Sequence, residues 1–242
     1  MWRQRVAWWM LAALAVWAAV AYGLVAALAL PNMTDPDHRA IILMGGALLA
    51  VWCAVGGAGQ YLARNRLTAW LRRIPLWWPA RFVLLCTVMA LLEEAVTTGL
   101  TNLAPVFGGV TDAARITASK NYLEVVCLHS VVVFVPAFIG WAVILRFIDF
   151  SPAEVMLLFG LSGWLAEWMT FGPQNIGMVG MWVYVYGLMV WLPARTVPPD
   201  RGARPARWWM WPLAVVLPFF LGVVPWVPVV LLIRKLIGYE AP

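Results

Sequence analysis

The chain has 242 residues, 64% of them hydrophobic and only 12% charged. A water-soluble domain carries about 25% charged residues, so the composition excludes an ordinary soluble enzyme and indicates an integral membrane protein. The net charge of +6 comes from Lys and Arg scattered in short segments between apolar runs, where they set topology and do not form a nucleic-acid surface.

The expected fold class is all-α: one polytopic transmembrane helical bundle of about seven spans, filling 1–242 as a single domain. Residues 1–5 hold two arginines, and the apolar run that follows is about twice the length of a secretory h-region, so 6–30 is expected as a retained first span. Residues 31–39 form a polar turn with Asp35, Asp37 and the solvated His38. The second span, 40–62, carries Gly45–Gly46 and Gly56–Gly57, which allow close helix contact. Residues 64–81 are basic and aromatic and suit a short interfacial helix. The third span is 81–102. Residues 103–123 make the longest loop, with a short amphipathic helix expected around 111–120.

The fourth span is 122–147. Ser151, Pro152 and Glu154 then supply an N-cap, Pro at N1 and an acid at N3 for the fifth, 152–171. Gly172–Pro173–Gln174–Asn175 breaks the chain before the sixth, 176–192. A Pro/Arg loop covers 194–207, with Asp149 a loop or capping acid. The last span, 208–233, holds Pro212, Pro218, Pro225 and Pro228 and should be kinked or locally unwound. Cys53, Cys86 and Cys127 lie in apolar segments at no metal-like spacing and read as free thiols. Paired tryptophans (Trp8–Trp9, Trp77–Trp78, Trp208–Trp209) suit interfacial belts. A cytoplasmic N-terminus leaves only Arg39, Arg115, Lys120, Arg234 and Lys235 outside, and so 12 of the 17 Lys and Arg inside. The expected location is therefore the cell membrane, multi-pass, with the N-terminus in the cytoplasm.

The segment with chemical content is Leu92–Glu93–Glu94–Ala95–Val96–Thr97–Thr98, because no Lys or Arg occurs between Arg81 and Arg115. Carboxyl groups in such a run are costly and mark function by default. Glu94-x-x-Thr97-x-Gly99-x-x-Asn102 recurs 73 residues later as Glu167-x-x-Thr170-x-Gly172-x-x-Asn175. Each glutamate precedes its Asn by eight residues, roughly 12 Å of helix, and His129 follows Asn121 by eight on the oppositely directed fourth span. Glu94, His129 and Glu167 are thus expected at one depth in the outer third of the bilayer. Glu94, Thr97, Thr98 and Thr101 share a helical face. The candidate catalytic residues are Glu93, Glu94, His129 and Glu167. Thr98, Asn102, Glu124 and Asn175 are candidate substrate contacts, although Asn102, Asn121 and Asn175 suit helix-end caps better than ligands. Ser130 adjoins His129 but is expected to point elsewhere. Glu94, His129 and Glu167 can also be drawn as three N/O ligands of a divalent metal such as zinc.

At these residues the chain resembles the CAAX-protease and bacteriocin-processing family of intramembrane proteases. Glu93–Glu94–Ala95–Val96–Thr97–Thr98–Gly99 is similar to its Glu-Glu-x-x-x-Arg-Gly motif, with Thr98 in place of the arginine. Val125-x-x-x-His129 stands where an aromatic-x-x-x-His occurs, and Glu167 takes the place of the family's last histidine. The resemblance covers about 81–171. It implies that Glu93 or Glu94 activates water, that His129 stabilises an oxyanion or carries protons, and that the substrate is a hydrophobic peptide or lipid-like. A shorter resemblance, Glu93–Glu94–Ala95 with Thr101–Asn102 and Val106–Phe107–Gly108, is to membrane lycopene cyclases. It implies protonation of a polyene in a dry pocket. The residues alone leave open a transporter or a structural subunit of a membrane complex.

Overall fold

Helical arms run back and forth between two polar rims in the computed structural model, which describes residues 2–218, 220–221 and 224–236. The arms are α1 (Trp2–Ala29), α2 (Pro36–Leu71), α3 (Trp78–Asn102), the bent pair α4 (Tyr122–His129) and α5 (Val131–Phe147), α6 (Pro152–Phe171) and α7 (Val179–Arg195). After them come α8 (Met210–Pro218) and α9 (Val224–Leu236). The protein is nearly all-α. The exception among the described residues is a two-residue parallel bridge, β1 (Ile148–Asp149) on β2 (Arg204–Pro205). Among the described residues three helical stretches, Trp2–Asn32, Pro36–Leu71 and Trp78–Asn102, are long and apolar enough to cross a membrane, and α4 with α5 makes a fourth if taken together.

Several boundaries differ from expectation, each for a local reason. Helix α2 begins at Pro36, earlier than expected, because Asp35 caps it by accepting from the Asp37 and His38 amides. It then runs on to Leu71. The 64–71 segment lacks Pro and Gly, so basic charge alone does not end the helix, and no separate interfacial helix forms. The turn at 72–77 is closed by Arg81, which donates to the carbonyls of Arg72, Ile74 and Thr196 at 3.1, 3.4 and 3.2 Å. The helix expected around 111–120 is absent. Backbone donors there are taken by side chains: Asp37 accepts from the Val110 and Thr111 amides, and Thr101 Oγ1 from the Ile116 amide. The expected last span appears as α8 and α9; residues 219 and 222–223 between them lie outside the described residues.

The tightest packing joins α6 to α7. The Gly160 Cα lies against the Val183 backbone, and Gly187 against the Met156 carbonyl, so that a Cβ at Gly187 would come within 2.7 Å of that oxygen. Backbones approach this closely only where side chains are missing. At one rim, Ser151 and Glu154 form the expected capping box. Buried Glu154 also accepts from Arg3 Nε and Trp211 Nε1, both at 3.2 Å, tying α1 and α8 to the start of α6. Arg201 spans Asp149, at 2.7 Å, and the Leu145 carbonyl on the same rim. At the opposite rim Asp37 holds the 103–121 loop, and Asn102 donates to the Thr98 and Lys120 carbonyls.

Replacing Glu154 should be among the costliest single changes. Glu154→Ala strands the mostly buried Arg3 and removes the cap, with an expected loss of about 3 kcal/mol. Glu154→Gln keeps part of the hydrogen bonding and should lose about half of that. Thermal unfolding of the detergent-solubilised protein measures both; equal losses would contradict the role of the charge.

Candidate functional site

Three buried or half-buried glutamates converge on one cavity of about 830 Å³. Its walls come from α2 (Ile41, Gly45, Leu48), α3 (Glu93, Glu94, Thr97), the bent α4–α5 arm (Val125, His129, Ser130, Val133, Phe134), the end of α6 with Asn175, and α7 (Trp182, Val185, Tyr186). The 113–118 stretch of the loop covers one side. The volume is that of a site for a small organic ligand or a single acyl chain, and the lining is largely apolar around a few convergent polar groups.

Each acid is placed by a different device. Glu93 and Glu94 sit in mid-helix on α3 and are both buried, at 4% and 7% exposure, although adjacent residues on a helix point about 100° apart. Both reach the cavity because it wraps around that side of α3. The Glu94 carboxyl accepts from the Thr97 hydroxyl at 3.3 Å, and the Ser130 hydroxyl, which donates to the Val125 carbonyl at 3.2 Å, lies on the same cavity wall. Glu167, in the last turn of α6, accepts a hydrogen bond from the Tyr186 hydroxyl of α7. That contact depends on Gly163, which leaves room for the Tyr186 ring against α6.

Ser130 corrects the expectation that it points away. The arm bends by 46° at Ser130, where the Ser130 amide bonds the Val125 carbonyl five residues back at 2.9 Å. The widened π turn rotates Ser130 onto the cavity wall beside His129, which a regular helix would not do. His129 also lines the cavity and faces Glu124, its Nε2 at 3.7 Å from Glu124 Oε1. Glu124 in turn accepts from Ser119 at 2.8 Å.

The cavity therefore gathers Glu93, Glu94, His129, Glu167 and Asn175, with Glu124 behind His129. Thr98 and Asn102 are not on its wall. Thr98 is buried on α3 with no hydrogen-bond partner for its hydroxyl among the described residues, and Asn102 joins the helix end to the loop. Asn175 anchors the Gly172–Asn175 break by accepting from Trp182 Nε1 at 3.0 Å. Among the described residues no three His, Cys, Asp or Glu side chains converge as metal ligands, so the drawn zinc set of Glu94, His129 and Glu167 does not fit. Their polar atoms are engaged by Thr97, by Glu124 and by Tyr186. The two copies of the Glu/Thr/Gly/Asn motif also adopt different backbones: Gly99 is helical, whereas Gly172 has φ +92 and ends α6.

No family model, curated protein or solved structure matches the chain. Tyr186 and Ser130 are the members of the site that residue patterns missed. Nothing in the local sequence of α7 distinguishes Tyr186 from Tyr184, whose hydroxyl instead donates to the Leu11 carbonyl.

The covering loop is braced by Lys120 Nζ on Asp112, at 2.6 Å. The Lys120 hydrogen bond and charge, then Arg115, hold the Asp112 carboxyl below the usual carboxylate range. A lowered pKa contributes above the ordinary value of about 3.9 and is lost as pH falls through the lower folded value. Amide-exchange protection of 113–118, corrected for intrinsic rates, should stay flat with respect to this brace from pH 8 to 5. It should drop by about two- to fivefold in Asp112→Asn at neutral pH, the scale of an exposed ion pair.

Proposed function

We propose that the protein is an intramembrane hydrolase of glutamate type, acting on a hydrophobic peptide or lipid-like substrate from within the bilayer. The observation that carries this reading is the meeting of Glu93, Glu94, Glu167 and His129 on the walls of one apolar cavity. Such a cavity admits an acyl chain or apolar side chain together with a water molecule. Glu94, oriented by Thr97, takes a proton from that water as its oxygen attacks the substrate carbonyl carbon. The oxyanion that develops faces His129, and collapse of the tetrahedral adduct expels an amine or alcohol that takes the proton back from Glu94. Glu93 and the Glu167–Tyr186 pair set the electrostatics of the pocket and exchange protons with it. The resemblance to CAAX-type proteases implies Glu93 or Glu94 as the water-activating acid and His129 as oxyanion stabiliser or proton carrier; Glu94 is taken here for its contact with Thr97.

A second reading is proton-coupled transport, favoured by one observation, the broken arm at Ser130 beside His129. Discontinuous helices at an ionisable site are what alternating-access carriers use. On either reading the chain is proposed to cross the cell membrane seven times with the N-terminus cytoplasmic. The rim of Arg3, Arg72, Arg81 and Arg201 is then inside, and the rim of Asp37 and the 103–121 loop outside.

Mass spectrometry of lipids and short hydrophobic peptides from cells expressing the chain should reveal cleavage products. Glu94→Gln or His129→Ala should reduce them at least 100-fold, the scale of a lost general base, while Tyr186→Phe should cost about tenfold. Folded variants with unchanged profiles would remove the hydrolase reading. If proteoliposomes instead show a proton flux abolished by Glu94→Gln, the transport reading holds. Topology is tested separately in a variant with Cys127 replaced. A cysteine at Thr111 should react with an impermeant maleimide in intact cells, and one at Arg73 only after permeabilisation.

A further inference from the structure

Glu93 stands apart from the other acids of the cavity. Its side chain lines the wall and is 4% exposed. The Thr97 hydroxyl reaches only its backbone carbonyl, at 3.2 Å, and among the described residues no hydrogen bond reaches its carboxyl. Glu94 keeps Thr97 and Glu167 keeps Tyr186. Glu93 lies within electrostatic reach of both other acids, and Tyr186 lies within reach of all three. The ion pairs among the described residues use Asp35, Asp112, Glu124, Asp149 and Glu154, and none of the cavity glutamates. Two basic side chains touch the cavity. His129 faces Glu124, and Arg115 is exposed on the covering loop beside Asp112.

The same wall is aromatic. The Tyr186 ring meets Phe134 edge-on at 5.6 Å and Trp182 at 5.9 Å with an interplanar angle of 31°, and all three line the cavity. Among the described residues the guanidinium groups over aromatic rings are Arg64 on Tyr61 and Arg195 on Trp191, so none covers these rings. A buried carboxyl without a donor is costly, and neighbouring acids repel one another. A cation entering beside them relieves both costs. Among the described residues no three side chains converge as metal ligands, which disfavours a bare metal ion. An ammonium with carbon substituents suits the site better, because ring faces attract it without a coordination shell. Ile41, Leu48, Val133 and Val185 supply apolar wall for an attached chain.

We propose that the cavity takes a single-chain amphiphile with an ammonium headgroup, seated among Glu93, Glu94 and Glu167 against the Trp182 and Tyr186 rings. The inference rests on the reading of this cavity as the substrate site and adds the charge class of the substrate. It requires binding alone, so it applies to hydrolysis and to transport.

The test uses the full chain, purified in a neutral detergent, with unfolding temperature followed as hexyltrimethylammonium is titrated in. This cation should stabilise the protein saturably, whereas hexanol and hexanesulfonate, with the same chain, should not. Glu93→Gln and Trp182→Leu should each raise the half-saturating concentration about fivefold or more, the scale of a lost cation contact. Asp200→Asn, at an exposed acid outside the cavity, should leave it unchanged. Where the cavity variants do not fold, the unaltered chain serves. Attachment of dicyclohexylcarbodiimide to Glu93, located by mass spectrometry, should be slowed by hexyltrimethylammonium and not by hexanol. Equal stabilisation by hexanol would overturn the cation assignment and leave an apolar pocket, and equal stabilisation by sodium chloride would leave an inorganic-cation site. Equal weakening by Asp200→Asn would overturn the site in favour of diffuse charge. Absence of stabilisation and of protection would overturn the proposal entirely. Ammonium binding by a chain that releases no cleavage products would remove the hydrolase reading and leave this one standing; cleavage products without ammonium binding would do the reverse.

Discussion

Carboxyl groups placed deep in an apolar helical bundle, with no basic side chain nearby in sequence, must find neutral hydrogen-bonding partners or a water-accessible space. Glu93, Glu94 and Glu167 impose that constraint here, and much of the structure around them answers it. Thr97 meets Glu94, Tyr186 meets Glu167, and a cavity of about 830 Å³ lies in front of all three acids. Each answer comes from a different helix. The Glu167–Tyr186 hydrogen bond thereby joins α6 to α7 at that level.

The two sides of the bundle are built to opposite rules. Between α6 and α7, glycines let backbones touch, and every residue of α7 from Gly187 to Ala194 is buried. Close-packed backbone of this kind has little freedom to rearrange. Around the cavity the helices are instead irregular. A π stretch over Leu49–Gly56 interrupts α2, and another over Val125–His129 precedes the bend at Ser130. Such stretches widen a helix by displacing hydrogen bonds, and they recur at functional sites. A rigid wall carries Tyr186, therefore, while the walls that carry His129 and Ser130 contain the backbone able to shift.

The rims divide the remaining chemistry. One end of the bundle is held by carboxylates and hydroxyls accepting from loop amides, as at Asp37 and Thr101. The other is held by arginines capping helix-end carbonyls, as with Arg81 and Arg201. An arginine can satisfy several carbonyls at once because its donors are forked. The same property lets Arg64 and Arg72 reach the carbonyls of Tyr61 and Arg195, and Arg195 reach Asn65.

Much of the architecture was legible in residue order. The charge deficit and long apolar runs indicate a membrane helical protein, Ser151–Pro152 with Glu154 begins a helix at the expected residue, and the Glu93–Glu94 pair marks the cavity. These features are local or compositional, and the sequence by itself determined them. The continuation of α2 to Leu71, the irregular 111–120 loop and the bend at Ser130 were decided elsewhere. A charged segment extends a helix when no Pro or Gly stops it, and a loop loses helical structure when a distant carboxylate such as Asp37 captures its amides. The site divides in the same way. Glu93, Glu94, His129 and Glu167 stand out because ionisable groups are rare in apolar runs. Tyr186 and Ser130 join them only through tertiary structure: Gly163 makes room for the Tyr186 ring, and a π turn redirects Ser130, and both are matters of packing that residue spacing does not encode.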